Sequence, residues 1–361
     1  MDLVSLLQTF NQEQGYENIA RNPRAQFGRK GRMYAGATLL PERIAPSNAY
    51  RENDIKFRTV VANMGTRYGP SQKKGGDIIG SFMVELAESD IAREFTGQMY
   101  DALLGYLAVN KSMEAMAALT NWLDTTVNLG LVELLEKWRW EALVNGEIAA
   151  TGDNKLSETI VYANPSGHRV TPAASWSTDT TDVFGDIHTM VDLLAGKGYN
   201  VNRIIAGRDV ISIMAKNDTV KTRTGIAVIS PTGQIQSAAG RANLAAINGA
   251  LGDDGLPPIE QYDLQYRTEQ GTGFFLPRGT MVMACTTGRV EDIDFGDETK
   301  TVYDTLGYTG IGRAAGHASQ GRVLRAEAFA NKPPRIEAEG WQTALPVITE
   351  PEALAVIKGI D

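Results

Sequence analysis

Residues 112–145 read SMEAMAALTNWLDTTVNLGLVELLEKWRWEALVN, an amphipathic helix of about nine turns where an average globular helix has about three. Met116, Leu119, Leu123, Val127, Leu131, Leu134, Trp138 and Ala142 step by threes and fours, so one apolar stripe runs the whole length. Asn145-Gly146 stops it, because glycine takes the left-handed C-cap conformation at little cost. At 1.5 Å per residue the rod reaches roughly 50 Å, longer than a compact domain is wide, which suits an extended or flattened subunit. Its middle is expected to be soft. Thr125, Thr126 and Val127 are β-branched and Gly130 costs about 1 kcal/mol relative to alanine. A hinge at Thr125, Thr126 and Gly130 is one reading, and close packing of another backbone over Gly130 is the other.

Outward from this rod, 361 residues with 43% apolar content predict two or three domains with real cores. The N-terminal MDLVSLLQTFNQEQ lacks the basic, apolar and small-residue regions of a secretory signal, and no apolar run is long enough to span a bilayer, so no membrane partner is expected. Cys285 is the only cysteine, which excludes an internal disulfide and a multi-cysteine zinc site and fits assembly in a reducing cytoplasm. The net charge of −8 conceals an asymmetry. Residues 21–74 hold twelve Lys and Arg, among them Arg29, Lys30, Arg32, Lys56, Arg58, Arg67, Lys73 and Lys74, against Glu42, Glu52 and Asp54; this segment carries +9 and leaves −17 on the rest. Opposite charges on two parts of one chain favour laying the basic part over the acidic part of another copy. A solvated basic loop, or unspecific contact with nucleic-acid phosphates, would show the same composition.

Residues 2–10 predict a short amphipathic helix. From 15 to 53, Gly and Pro punctuation with scattered single hydrophobes predicts an arm with no core of its own, ordered against something else. Alternation of Ile55, Phe57, Thr59 and Val61, and later of Ile78, Gly80, Phe82, Val84 and Leu86, predicts a long β-hairpin with the Gly-rich, basic tip GTRYGPSQKKGG. A helix is expected over 89–107, leading into the long one. Strands are expected at 156–163 and 168–172. From Val183 onward helices and strands alternate, with helices at FGDIHTMVDLLAGKG, RDVISIMAKN and RANLAAINGAL around the buried strand VNRIIA. Further strands are expected at 259–266, 280–285, 289–295, 322–330 and 335–348. Residues 186–288 read as a second α/β unit inserted into the layer that holds the long helix.

Motifs for chemistry are missing. His168, His188 and His317 have no metal-ligand spacing, no G-x-S-x-G or H-E-x-x-H is present, and GRKGR and AGKG lack the phosphate-loop spacing, so no catalytic residue, cofactor or metal is expected. Asp253-Asp254 in GDDG lacks the ligand alternation of a Ca²⁺ loop and reads as a turn. Arm, hairpin and rod are devices for contacting other subunits.

FFLPRGTMVMACTTG at 274–288 and LPVITEPEALAVIKG at 345–359 resemble the C-terminal portion of lambda-type bacteriophage major capsid proteins, the major capsid protein E family. The order of elements along the whole chain is similar as well. The resemblance implies an α+β chain with the Hong Kong 97 phage capsid fold: an N-terminal arm (1–54), an E-loop hairpin (55–87), a P-domain (88–185) with the spine helix at 112–145, an A-domain (186–288), a return to the P-domain (289–335), and an A-domain closing strand with the C-terminus (336–361). Residues 344–348 would close the A-domain sheet. Asp253 and Asp254 would sit in an axial A-domain loop, and the basic arm and E-loop residues named above would make inter-subunit contacts. The function implied is the major capsid protein of a tailed double-stranded DNA phage, assembled in the bacterial host cytoplasm as hexamers and pentamers that enclose the genome and expand on maturation. A separate scaffolding protein, a portal at one vertex, a decoration protein and packaged DNA would be its partners. A bacterial nanocompartment shell shares the fold, and an α/β enzyme is a more distant alternative.

Overall fold

The long helix runs without a break from 112 to 145, in three consecutive parts. A computed structural model describes residues 33–361 apart from 57–77, 96, 110, 152–156, 226–227, 230–234, 237–241, 270, 287–289, 295–298, 304–305, 319 and 330–333. The chain begins with α1 (Ala35–Leu39), β1 (Glu42–Ile44), β2 (Ala49–Lys56), β3 (Ile78–Glu85), β4 (Ala87–Phe95) and α2 (Gly97–Ala108). The rod follows as α3 (Ser112–Leu123), a π-helical turn (Asp124–Asn128) and α4 (Leu129–Asn145). Next come β5 (Glu147–Thr151), β6 (Ser157–Val161), β7 (Arg169–Val170), α5 (Val183–Gly196), β8 (Arg203–Ala206), α6 (Arg208–Met214), α7 (Asp218–Arg223), β9 (Val228–Ile229) and β10 (Ile235–Gln236). The remainder is α8 (Leu244–Asp253), β11 (Ile259–Gln261), β12 (Gln265–Thr268), β13 (Gly271–Phe274), β14 (Met281–Ala284), β15 (Val290–Asp294), β16 (Thr299–Tyr303), β17 (Gly307–Ile311), β18 (Val323–Phe329), β19 (Arg335–Ile348) and β20 (Leu354–Ile357).

Two features end and interrupt the rod. Gly146 takes φ +73° and its N–H bonds the Ala142 carbonyl at 3.0 Å. Arg169 then places its guanidinium over the last turn, donating to the carbonyls of Ala142 at 3.3 Å and of Leu143 and Val144 at 3.1 Å, where a cation meets the negative end of the helix dipole. At the π turn the Thr126 hydroxyl donates to the Trp122 carbonyl at 2.6 Å, and Asn128 Nδ2 donates to Asp124 Oδ1 at 2.9 Å. Hydroxyls competing for carbonyls one turn back loosen the regular ladder, and such turns occur as single insertions in α-helices.

The first layer is a sheet in the order β1-β17-β19-β18, with β4 on β19 as well. β19 is its axis, antiparallel to β4, β17 and β18. Alternate residues Ile336, Ala338, Gly340, Gln342 and Ala344 are buried, and Ile336 and Ala338 pack with Leu119, Leu123, Val127 and Leu131 of the rod. Gly340 is the point of closest approach. A Cβ there would lie 2.5 Å from Val127 Cγ1 and 2.9 Å from Leu324 Cδ2.

Residues 87–95 correct the helix expected over 89–107: they are a strand, and the helix starts only at Gly97. Glu, Asp, Ala and Arg within AESDIAREF do not favour a strand, but nine registered pairs with β19 override local preference.

The second layer is a mixed sheet, β11-β8-β14-β20-β7, with β8 parallel to β11 and antiparallel to β14. RIIA, MVMA and LAVI are buried at every position because both faces are covered, so apart from Arg203 they read as continuous apolar runs. The strand that enters this sheet from the C-terminal segment is β20, beside β14. That corrects the expectation for 344–348, which lie in β19 and pair with β17 in the first layer.

The arm is corrected in part. Tyr34, Leu39 and Leu40 are fully buried in the main core, and β1 pairs in parallel with β17, so residues 34–44 are ordered against their own subunit. The helix expected at 2–10 lies outside the described residues.

Candidate inter-subunit surface

A hairpin forms, but it starts earlier than expected: β2 begins at Ala49, inside the stretch read as arm, and of the strand expected over 55–61 only Ile55 and Lys56 are among the described residues. β2 and β3 pair in antiparallel register from Ala49↔Glu85 to Lys56↔Ile78. Tyr50, Val84 and Leu86 bury one side of that base, the Tyr50 hydroxyl lies 2.7 Å from the Tyr308 hydroxyl, and Asn48 clamps Arg313 by accepting from its N–H at 2.7 Å and donating to its carbonyl at 2.9 Å. The opposite side is bare at Met83, which is 72% exposed. A single hairpin is marginally stable in water, so an anchored, half-bare one is built to lie on something. Lys56 is the last residue of β2; Arg29, Lys30, Arg32, Arg58, Arg67, Lys73 and Lys74 lie outside the described residues.

Further apolar side chains stand exposed along α2 and at the start of α3: Met99, Tyr106, Val109 and Met113, the last to 86%. Thr125 and Thr126, expected as a hinge, fall within the π turn, with Gly130 one residue into α4 proper. Among the described residues no backbone of another segment comes within 4 Å of a Cβ added at Gly130. Its near neighbour is the side chain of Ile91, whose Cδ1 would lie 2.8 Å from an added Cβ.

Asp253 ends α8 and is exposed, whereas Asp254 is committed within its own subunit. Asp254 Oδ2 lies 2.9 Å from His188 Nε2, and Arg223, stacked 4.5 Å over the Phe184 ring, donates to both its oxygens. Desolvation works to raise the Asp254 carboxyl, but the hydrogen bonds from His188 and Arg223 outweigh it and hold the group below its ordinary value.

The charges that hold the body together were not singled out in the sequence. Glu136 and Arg139 are completely buried in α4. Glu136 Oε1 accepts from Gly36 N, Trp140 Nε1 and Tyr262 OH, each at 2.8 Å, and its Oε2 lies 3.5 Å from Arg139 Nη1. Arg139 Nε donates to Thr309 Oγ1 at 2.8 Å, and its Nη2 reaches Glu42, which also receives Arg322. One carboxylate and one guanidinium thus tie arm, rod and both layers together. Burial, then the Glu136 carboxylate, push the Tyr262 phenol well above its ordinary range. An i,i+3 Glu-Arg pair ordinarily marks a solvated helix face, which is why the spacing alone gives no sign of this core role.

Nucleophile chemistry has little to work with here. Cys285 is buried and its thiol is pushed up to about 12 by desolvation, which leaves almost no thiolate at neutral pH. Among the described residues no three His, Cys, Asp or Glu side chains gather as metal ligands, and no helix is long and apolar enough to cross a membrane. The exposed apolar side chains of the hairpin base and of α2 and α3 make these surfaces the candidate site.

The family "Phage major capsid protein E" matches over residues 96–294, more than half of the chain. The chain belongs to that family. No curated protein matches it. Among solved structures, a putative capsid protein of a prophage in E. coli CFT073 is similar over 96% of this chain and 98% of that one, with 14% identity and a TM-score of 0.58. At that identity the likeness concerns the fold, which is the Hong Kong 97 phage capsid fold. Two weaker likenesses carry no argument: a phage-related protein from Bordetella bronchiseptica RB50 (13% identity, 93% and 95% of the chains, TM-score 0.49) and the satellite phage P4 procapsid (12%, 90% and 94%, 0.42). This capsid protein is accordingly a structural component of a phage virion that forms multimeric shells.

Proposed function

We propose that this capsid protein builds the icosahedral head of a tailed double-stranded DNA phage, as hexamers and pentamers that overlap through the β2–β3 hairpin and enlarge when DNA enters. In this reading the hairpin is the E-loop, the sheet around β19 and the rod form the P-domain, and the β8–β14–β20 layer is the axial A-domain. The observation that carries the reading is the hairpin itself. It is anchored at its base by Tyr50, Val84 and Leu86, bare at Met83 on its other side, and its two strands are joined in sequence by the basic segment 57–77. Interfaces of obligate assemblies bury about 2,000–5,000 Å², a sum of many weak contacts, so assembly should depend steeply on concentration and ionic strength. A scaffolding protein, a portal, a decoration protein and unspecific DNA contacts belong to the same proposal.

The test is sedimentation with negative-stain electron microscopy of the purified chain over a concentration series. Closed shells, or hexamer and pentamer capsomers, are expected. A chain that stays monomeric at millimolar concentration contradicts the proposal, and particles from phage-producing cells that hold protein cargo in place of DNA reassign it to a nanocompartment.

A further inference from the structure

α2 carries two apolar stripes, and its own subunit uses one of them. Tyr100 and Leu103 are buried, and Leu107 is half-buried, against the core that the rod shares with β19. A second set, Met99, Ala102, Tyr106 and Val109, steps by three, four and three along a different side, roughly a third of a turn round the helix. All four are exposed, Val109 to 62%. Apolar residues at alternating three and four spacing form the narrow seam by which one helix packs on another. Charge is missing there as well. Asp101 is the one charged residue from 97 to 109 in a chain that is 22% charged, and it points about a third of a turn away from the stripe. Beyond the corner, Lys111 and Glu114 pair with each other at 3.3 Å. Gly105 adds an independent sign. Nothing lies within 4 Å of a Cβ added to it, so among the described residues no packing offsets the weakness a glycine brings to the middle of a helix. A bare position of this kind lets a facing backbone come close.

Resting on the shell reading above, we propose that this stripe is a two-fold contact between neighbouring copies, each α2 lying antiparallel on the other. Met99 then meets the partner's Val109, and Ala102 meets the partner's Tyr106. Charge favours a second copy as the occupant. A net charge of −8 sets most faces of this chain against their like, whereas a stripe without charge meets its own copy at no electrostatic cost. Size explains when the contact forms. A seam about 18 Å long and about 10 Å wide covers on the order of 200 Å². A stable separate complex needs about 800 Å² per partner, so the seam closes only where other contacts already hold the copies together, as in a shell. Antiparallel packing sets opposite helix-dipole ends side by side and maps the stripe onto itself through one axis.

The experiment uses cysteine pairs in the full chain. The native Cys285 is buried, so thiols introduced on α2 report alone. Positions 99 and 109 lie about 15 Å apart along one helix, too far for a disulfide within a subunit. Particles of Met99→Cys/Val109→Cys treated with a mild oxidant should give disulfide-linked dimers and no longer ladder. Met99→Cys or Val109→Cys alone should give less than about a tenth of that yield, and dissociated subunits of the double variant should stay unlinked. Separately, Tyr106→Glu/Val109→Glu should leave the melting of the unassembled subunit unchanged and raise the concentration needed for assembly about tenfold. Double-cysteine particles that form no link overturn the contact and leave the shell reading standing. So does Val109→Cys alone linking as well as the pair, which would mean a parallel or head-to-tail arrangement. Tyr106→Glu/Val109→Glu that assembles like wild type overturns it too, as does lost assembly without the crosslink, which would give the stripe to a different protein. Wild-type chain that forms no particles defeats the shell reading and this contact together.

Discussion

The two halves of the long helix differ more than their shared stripe suggests. In α4, Leu131, Val132, Leu135, Glu136, Trp138, Arg139, Trp140, Ala142, Leu143 and Val144 are buried, which leaves almost no free face, and a glutamate and an arginine are part of the packing. In α3 only Ala115, Leu119 and Leu123 are buried, a strip one residue wide at i,i+4 spacing, and Met113 and Glu114 face solvent. The halves meet at the π turn. One end of the rod is therefore the pillar of its own subunit and the other is a spar along its surface, and these roles set how each half responds to change.

The largest contrast is expected for charge removal. Glu136→Ala leaves the Gly36, Trp140 and Tyr262 donors and the Arg139 guanidinium without their acceptor, and should cost about 3–5 kcal/mol in urea unfolding of the unassembled subunit. Glu114→Ala breaks only the solvent-exposed Lys111 pair, and should cost less than about 1 kcal/mol. Equal costs would break the comparison. At the waist, Gly340→Ala drives a methyl into Val127, Leu324 and Leu131 and should destabilise by about 1–3 kcal/mol, read in the same unfolding curves. Gly130→Ala is the smallest effect. The gain in helix propensity, about 1 kcal/mol, is opposed by contact with the movable end of Ile91, so the net change should stay within about 1 kcal/mol of zero. A loss of several kcal/mol there would mean that the spar is as tightly encased as the pillar.

Much of this architecture was legible in the sequence, and the misses have physical causes. The rod, α5, β8, β14, β18, β19 and the second hairpin strand β3 follow from period and punctuation, whereas β2 begins at Ala49 in the stretch read as arm, because its strand state comes from pairing with β3. β4 was misread because its outer face carries acids and its strand state comes from β19, which lies more than 240 residues away. The closing strand of the second layer was misassigned because 344–348 and 354–357 are both short apolar runs, and partner choice is not written in either. The buried Glu136–Arg139 pair was invisible for the opposite reason. Its spacing looks like a surface ion pair, and only the arrival of Gly36, Tyr262 and Thr309 from distant segments makes it a core clamp. Of the contact residues named from sequence, the hairpin and arm cations owe their selection to charge alone, whereas the softness at Thr125 and Thr126 coincides with the irregular π turn.

Amide hydrogen exchange on assembled particles and on dissociated subunits tests most directly whether this chain is a pillar facing inward with a hairpin and the open side of α2 turned toward other copies. Assembly is predicted to slow exchange in 49–56, 78–85 and 97–108 and to leave 129–145 unchanged, since that half of the rod is already enclosed. Protection that rises in 129–145 while the hairpin and α2 stay as they were would contradict it.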